Sequence, residues 1–105
     1  MLELTEAPEA GVRREVLEET GIEVEVNDLT GVYKNTTRGI VALVFRCEPT
    51  GGTERTSAES TAVAWLTPDE VAAQMSEVYA IRLLDALDKA GPHVRTHDGR
   101  QFLTA

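Results

Sequence analysis

Glu15, Glu18 and Glu19 lie within the stretch REVLEETGI, residues 14–22, and their type and spacing are the first signs of chemistry in the chain. On a helix with 3.6 residues per turn, positions i, i+3 and i+4 share a face, so three such carboxylates fall within an arc of about 100°. Hard oxygen ligands placed this way suit Mg2+ or Mn2+, and Mg2+ takes one or two carboxylates together with waters and substrate phosphates. Phosphate chemistry is the corresponding expectation. Spacing alone favours a plainer alternative, a solvated helix front on which Arg14 and Glu18 form a routine i,i+4 pair. Against that alternative, Glu15 and Glu19 are like charges at i,i+4, which weakens a helix by roughly a few tenths of a kcal/mol unless a cation neutralises them. Glu6, separated from Arg14 by seven residues, supplies a carboxylate that could pair with Arg14 and fix its direction.

These groups need a helix to carry them, and the local sequence predicts one over Pro8–Thr20. Pro8 suits the first turn, Glu9 complements the positive helix end, and Gly21 is a natural stop. Val12, Val16 and Leu17 provide an apolar back to set against a sheet. IEVEV then alternates, with Ile22, Val24 and Val26 on one face and Glu23 and Glu25 on the other, as in a half-buried strand. TGVYKN and GIVALVFRC, separated by TTR, predict a hairpin whose second strand is buried on both faces. EPTGGTERTSAES reads as a loop and TAVAWL as another short strand. In TPDE, Thr67, Pro68 and Glu70 form a capping box that opens a helix to about Gln74. VYAIRLLDALDKAG predicts a third helix with Ile81, Leu84 and Leu87 along one side and Gly91-Pro92 as its stop. The remaining residues could form a small hairpin around Asp98-Gly99. The fold class is therefore α+β.

Composition narrows the function. The 105 residues carry a net charge of −8, which argues against sequence-independent binding to nucleic acid or to an anionic membrane surface. The single cysteine, Cys47, excludes an internal disulfide framework and reads as a buried thiol at the end of an apolar run. No apolar run approaches the roughly 18 residues of a spanning helix, and the expected compartment is cytoplasmic.

Glu6, seven intervening residues and REVLEETGI resemble the Nudix box, written as Gly, five residues, Glu, seven residues, Arg-Glu-aliphatic-any-Glu-Glu-any-Gly-aliphatic. Every specified position from Glu6 to Ile22 matches, and the similarity continues through the strands to Trp65 and the TPDEV helix. The resemblance implies an α/β/α sandwich with a mixed sheet. It also implies a metal-dependent hydrolase that cleaves the diphosphate bond of a nucleoside diphosphate derivative. Carried over by position, Glu15, Glu18 and Glu19 would bind Mg2+ or Mn2+, with one able to act as base toward water. Catalysis would rest on Glu15, Glu18 and Arg14, Arg14 orienting Glu15. Glu6 would support Arg14, and Gly21 would turn the chain from helix to strand. Glu59 is placed like an extra acid that some relatives bring from a later loop, although an exposed loop glutamate is the plainer reading.

The opening glycine of the pattern would fall one residue before Met1. The resemblance therefore implies an N-terminally truncated, partial domain over residues 1–92, followed by a tail at 93–105. Strands without their neighbours expose an edge and apolar surface, so self-association into a homo-oligomer is expected. The alternative function is a catalytically impaired domain that serves as an oligomeric binding module. Substrate choice within the nucleotide derivatives is open, because neither the proline nor the tyrosine that marks some relatives stands in the neighbourhood of TTRGI. Tyr33 and Trp65 read as core aromatics, and His93 and His97 are assigned no role.

Overall fold

A computed structural model describes residues 2–54, 66–88 and 90–103. Its elements are α1 (Pro8–Thr20), β1 (Ile22–Asn35), β2 (Ile40–Gly52), α2 (Pro68–Gln74), α3 (Glu77–Asp85), β3 (His93–His97) and β4 (Phe102–Leu103). The strands are ordered β2-β1-β3-β4. β1 runs parallel to β3, with Gly31 opposite His93 and Asn35 opposite His97, and β3 runs antiparallel to β4. The sheet is thus mixed and the class is α+β. The described residues divide into two compact units, one of residues 2–28 with 45–54, the other of residues 29–44 with 66–88 and 90–103.

In the first unit, α1 keeps the predicted bounds because both ends are written locally. Pro8 sits in the first turn, where its missing N–H costs no hydrogen bond. Gly21 adopts φ 76°, the left-handed conformation open to glycine, and donates its N–H to the Leu17 carbonyl at 2.9 Å. Thr20 Oγ1 donates to the Val16 carbonyl and accepts the Ile22 N–H, which joins the helix end to the strand that follows. The apolar back is thinner than expected: Val12 and Val16 are half-buried, while Leu17 is exposed.

β1 alternates as IEVEV predicts, with Ile22 buried, Val24 and Val26 half-buried and Glu23 and Glu25 exposed. It then continues without a break through Asn27–Asp28–Leu29, so the two predicted strands are one. β2 likewise extends through Glu48–Gly52, a segment read as loop. Turn-forming residues yielded there to strand pairing, and Gly52 fits because a side chain at that position would collide with the Gly21 carbonyl.

In the second unit, Asn35 builds the β1–β2 turn by accepting the backbone N–H groups of Thr37 and Arg38 on Oδ1. The expectation that GIVALVF is buried on both faces is overturned. Ile40, Val41 and Leu43 are exposed, because β2 is an edge strand of the sheet. Cys47, in the first unit's part of β2, is half-buried rather than buried for the same reason, although the burial it has pushes its thiol pKa up.

The capping box on α2 is complete: Thr67 Oγ1 accepts the Glu70 N–H, and the Glu70 carboxylate accepts the Thr67 N–H. α3 stops at Asp85, six residues before the predicted Gly91-Pro92 stop, and Leu87 is exposed. The chain tightens there into i→i+3 bonds, Leu87 N–H to Leu84 and Asp88 N–H to Asp85, which end the helix. The hairpin at Asp98-Gly99 forms as predicted, with Asp98 Oδ1 accepting the N–H groups of Arg100 and Gln101. Tyr33 is fully buried, as a core aromatic should be. Residues 61–65 of the predicted TAVAWL strand, Trp65 among them, and Glu59 lie outside the described residues.

Candidate functional site

Arg14 is the centre of the acidic face of α1. Its side chain reaches back along the helix, the direction that the tilt of every Cα–Cβ bond imposes, and meets the carboxylate of Glu6. Nε donates to Glu6 Oε2 at 2.8 Å and Nη2 to Glu6 Oε1 at 2.9 Å. This two-pronged geometry fixes the guanidinium plane as well as its position. Glu6 Oε1 also accepts the Glu3 N–H at 3.0 Å. The Arg14 hydrogen bonds, followed by the Glu3 amide, lower the Glu6 pKa from 4.5 to about 2. In return, chiefly through the Glu6 hydrogen bond, the Arg14 pKa is raised.

The forward edge of the same guanidinium faces the glutamates of the helix. Nη1 donates to Glu18 Oε2 at 3.1 Å, the predicted i,i+4 pair, and Nη2 lies 3.7 Å from Glu15 Oε1. Arg14 therefore brings together Glu6, Glu15 and Glu18, with the Glu3 carboxylate also 3.7 Å from its Nε. Glu19 is half-buried on the helix and makes no side-chain hydrogen bond or ion pair among the described residues. Gly21 closes the helix behind them. The three predicted ligands are of the right kind and in the right helical positions for a hard cation, but the carboxylates of Glu15 and Glu18 are turned toward Arg14. No three acidic, histidine or cysteine side chains among the described residues come together closely enough to hold a metal ion as they stand. Glu18 is 61% exposed and Glu15 33%, so both can change rotamer without disturbing the core.

A second charged centre, in the other unit, was passed over in the sequence. Asp85 is 5% exposed and accepts three hydrogen bonds: from Arg95 Nε at 2.7 Å, Arg95 Nη2 at 2.8 Å and the Tyr33 hydroxyl at 2.8 Å. His93 Nδ1 lies 3.9 Å from Asp85, and Nε2 lies 3.2 Å from Asp88. Burial pushes the Asp85 pKa up, but the bonds from Arg95 and Tyr33 and the neighbouring positive charge outweigh it, leaving a net lowering. Burial, then the bond to Asp85, raises the Tyr33 pKa. Arg82 lies over the rings of Tyr33 and Tyr79, 5.3 and 4.9 Å from their centroids. The signal for this centre was an acid at the end of the apolar run AIRLLD, where a solvent-facing position gives no reason for it. Held by three hydrogen bonds and almost closed to solvent, it ties its unit together and presents no open face to a ligand. His97 is also fully buried, its Nδ1 accepting the Gly99 N–H at 2.9 Å, so its part is to brace the hairpin.

A shallow open depression in the first unit is lined by Ile22, Pro49, Gly51, Gly52, Thr53 and Glu54. Among the described residues no helix is long and apolar enough to cross a membrane.

Comparison with known proteins agrees with the helix that carries these groups. A model of the NUDIX domain matches residues 1–87. A MutT-like protein of Streptomyces ambofaciens is 76% identical over 105 residues, spanning 100% of this chain and 68% of that protein. The chain belongs to the NUDIX domain family, hydrolases of nucleotide derivatives that generally use divalent metal cations.

Proposed function

We propose that the chain hydrolyses the diphosphate bond of a nucleoside diphosphate derivative with Mg2+ or Mn2+, and that α1 carries the chemistry. The observation that carries this reading is the Glu6–Arg14 clamp with Glu15 and Glu18 gathered at its far side. Glu15, Glu18 and Glu19 would hold the metal, which when bound lowers the pKa of its water and neutralises charge on phosphoryl oxygens. Arg14 sets the direction of Glu15, Glu6 sets the direction of Arg14, and one of the three glutamates takes the proton from the attacking water. Glu18 leaves Arg14 when it turns to a ligand, while the two bonds that Arg14 donates to Glu6 keep the guanidinium in place.

The test is phosphate release from a panel of nucleoside diphosphate derivatives, with Mg2+ or Mn2+ added and then removed by a chelator. Turnover that depends on metal and is lost in Glu18→Gln is the expected result. No turnover with any member of the panel, in a folded and metal-supplied protein, overturns the reading.

One observation favours a second reading, a non-catalytic module that assembles with copies of itself. Ile40, Val41 and Leu43 present apolar side chains along the edge strand β2, which is a template for pairing with another chain. Sedimentation as an oligomer together with absence of turnover is the outcome that belongs to this alternative.

A further inference from the structure

Gly11 is the buried residue of α1, and a glycine inside a helix weakens it relative to alanine. Its position explains why it is there. Residues 11 and 14 share a helix face, and the Arg14 side chain runs back toward the turn that holds Gly11. A Cβ on residue 11 would lie 3.1 Å from Glu6 Oε1 and 3.4 Å from Glu6 Cδ, and 2.5 Å from Leu2 Cδ1. The two neighbours differ in their freedom to give way. Leu2 is 46% exposed, and its end can swing aside. The Glu6 carboxylate is fastened by Arg14 Nε, Arg14 Nη2 and the Glu3 N–H, so moving it by a few tenths of an ångström strains three hydrogen bonds together.

We infer that Gly11 is a positioning residue for the proposed site: its missing side chain leaves the space in which Glu6 docks, and Glu6 in turn aims the Arg14 guanidinium at Glu15. Its importance for catalysis rests on the function proposed above, but the clamp is a property of the resting protein and is read without turnover.

The experiment compares the native chain with Gly11→Ala by NMR of the Arg14 Nε–H, with circular dichroism and thermal unfolding alongside. In the native chain this proton is expected to resonate downfield and exchange slowly with water. In Gly11→Ala the helix persists, while exchange of the Arg14 Nε–H rises roughly ten- to a hundredfold, the factor expected for loss of a charge-assisted hydrogen bond. A purely structural role for Gly11 would not produce that signature in a folded protein. An unchanged Arg14 Nε–H in folded Gly11→Ala overturns the inference. So does recovery of the native signature in Leu2→Ala/Gly11→Ala, which would make Leu2 the side chain that needs the space. A thermal cycle covers the case of poor folding: in a Glu6→Ala background, Gly11→Ala should raise the unfolding midpoint, as helix propensity dictates, and should raise it less or lower it when Glu6 is present. Equal shifts in the two backgrounds, or failure of Gly11→Ala to fold in both, also overturn the inference.

Discussion

Arg14 and Asp85 are opposite solutions to the placement of a charge. In one unit a cation collects acids, Glu6 at 2.8 Å, Glu18 at 3.1 Å and Glu15 at 3.7 Å. In the other an acid collects donors, Arg95 at 2.7 Å and the Tyr33 hydroxyl at 2.8 Å, with His93 nearby. The decisive difference is exposure. Asp85 is 5% exposed and is held by three hydrogen bonds, so the centre is fixed and its worth is stability. The carboxylates around Arg14 range from 13% exposed at Glu6 to 61% at Glu18 and 65% at Glu3, which lies 3.7 Å from Arg14 Nε. That cluster has one locked side and one side free to exchange partners, as a site that takes a ligand requires.

The comparison breaks first at Asp85. Asp85→Ala leaves Arg95 and the buried Tyr33 hydroxyl without their acceptor, and is expected to destabilise the protein by about 2–4 kcal/mol in chemical denaturation, the partial exposure of Arg95 trimming the full buried-pair penalty. Metal-dependent turnover, measured well below the new midpoint of unfolding, should be preserved. Arg14→Ala is the converse variant: turnover falls by roughly ten- to a hundredfold, as for loss of a group that orients metal ligands, while the unfolding midpoint hardly moves. If Arg14→Ala unfolds the chain and Asp85→Ala silences it, the division of labour drawn here is wrong. Tyr33→Phe sharpens the picture on a smaller scale, removing one hydrogen bond to Asp85 for about 1 kcal/mol in the same denaturation assay.

Two pH dependences complete the contrast, and they are the smallest effects. Glu6 has its pKa depressed from 4.5 to about 2, so its contribution is fully present above 4.5 and fades as the pH falls toward 2. Carboxyl 13C titration should place the Glu6 midpoint near the bottom of that window, and a midpoint at the ordinary value would dissolve the clamp. Tyr33 has its pKa raised, so the native state holds the phenol proton where the unfolded chain releases it. Its contribution is present below the ordinary value of 10.0 and declines as the pH climbs beyond it, which alkaline unfolding of Tyr33→Phe against the native chain should reveal.

The sequence was most informative where structure is encoded over a few residues. Pro8 and Gly21 delimit α1, Thr67 and Glu70 start α2, and Asp98-Gly99 makes a hairpin, all through the backbone preferences or hydrogen bonds of near neighbours. The Glu6–Arg14 pair was legible because helical spacing and one short approach segment suffice to bring the two together. Legibility failed where a distant partner decides. Glu48–Gly52 is composed of turn formers yet runs as strand beside β1, and α3 ends where Asp85 turns to an arginine on β3. The burial of GIVALVF was misjudged because apolar content does not reveal that a strand lies at an edge. For the site, the helix positions of Glu15, Glu18 and Glu19 followed from spacing, whereas the rotamers that turn Glu15 and Glu18 to Arg14 did not.

The guanidinium among those glutamates has one further consequence. Acids crowded on a single helical turn repel one another unless a positive charge stands among them. With Arg14 supplied by the polypeptide itself, Glu15 and Glu18 already face a positive charge in the resting helix, and under the function proposed above a metal ion would compete with that internal cation for them.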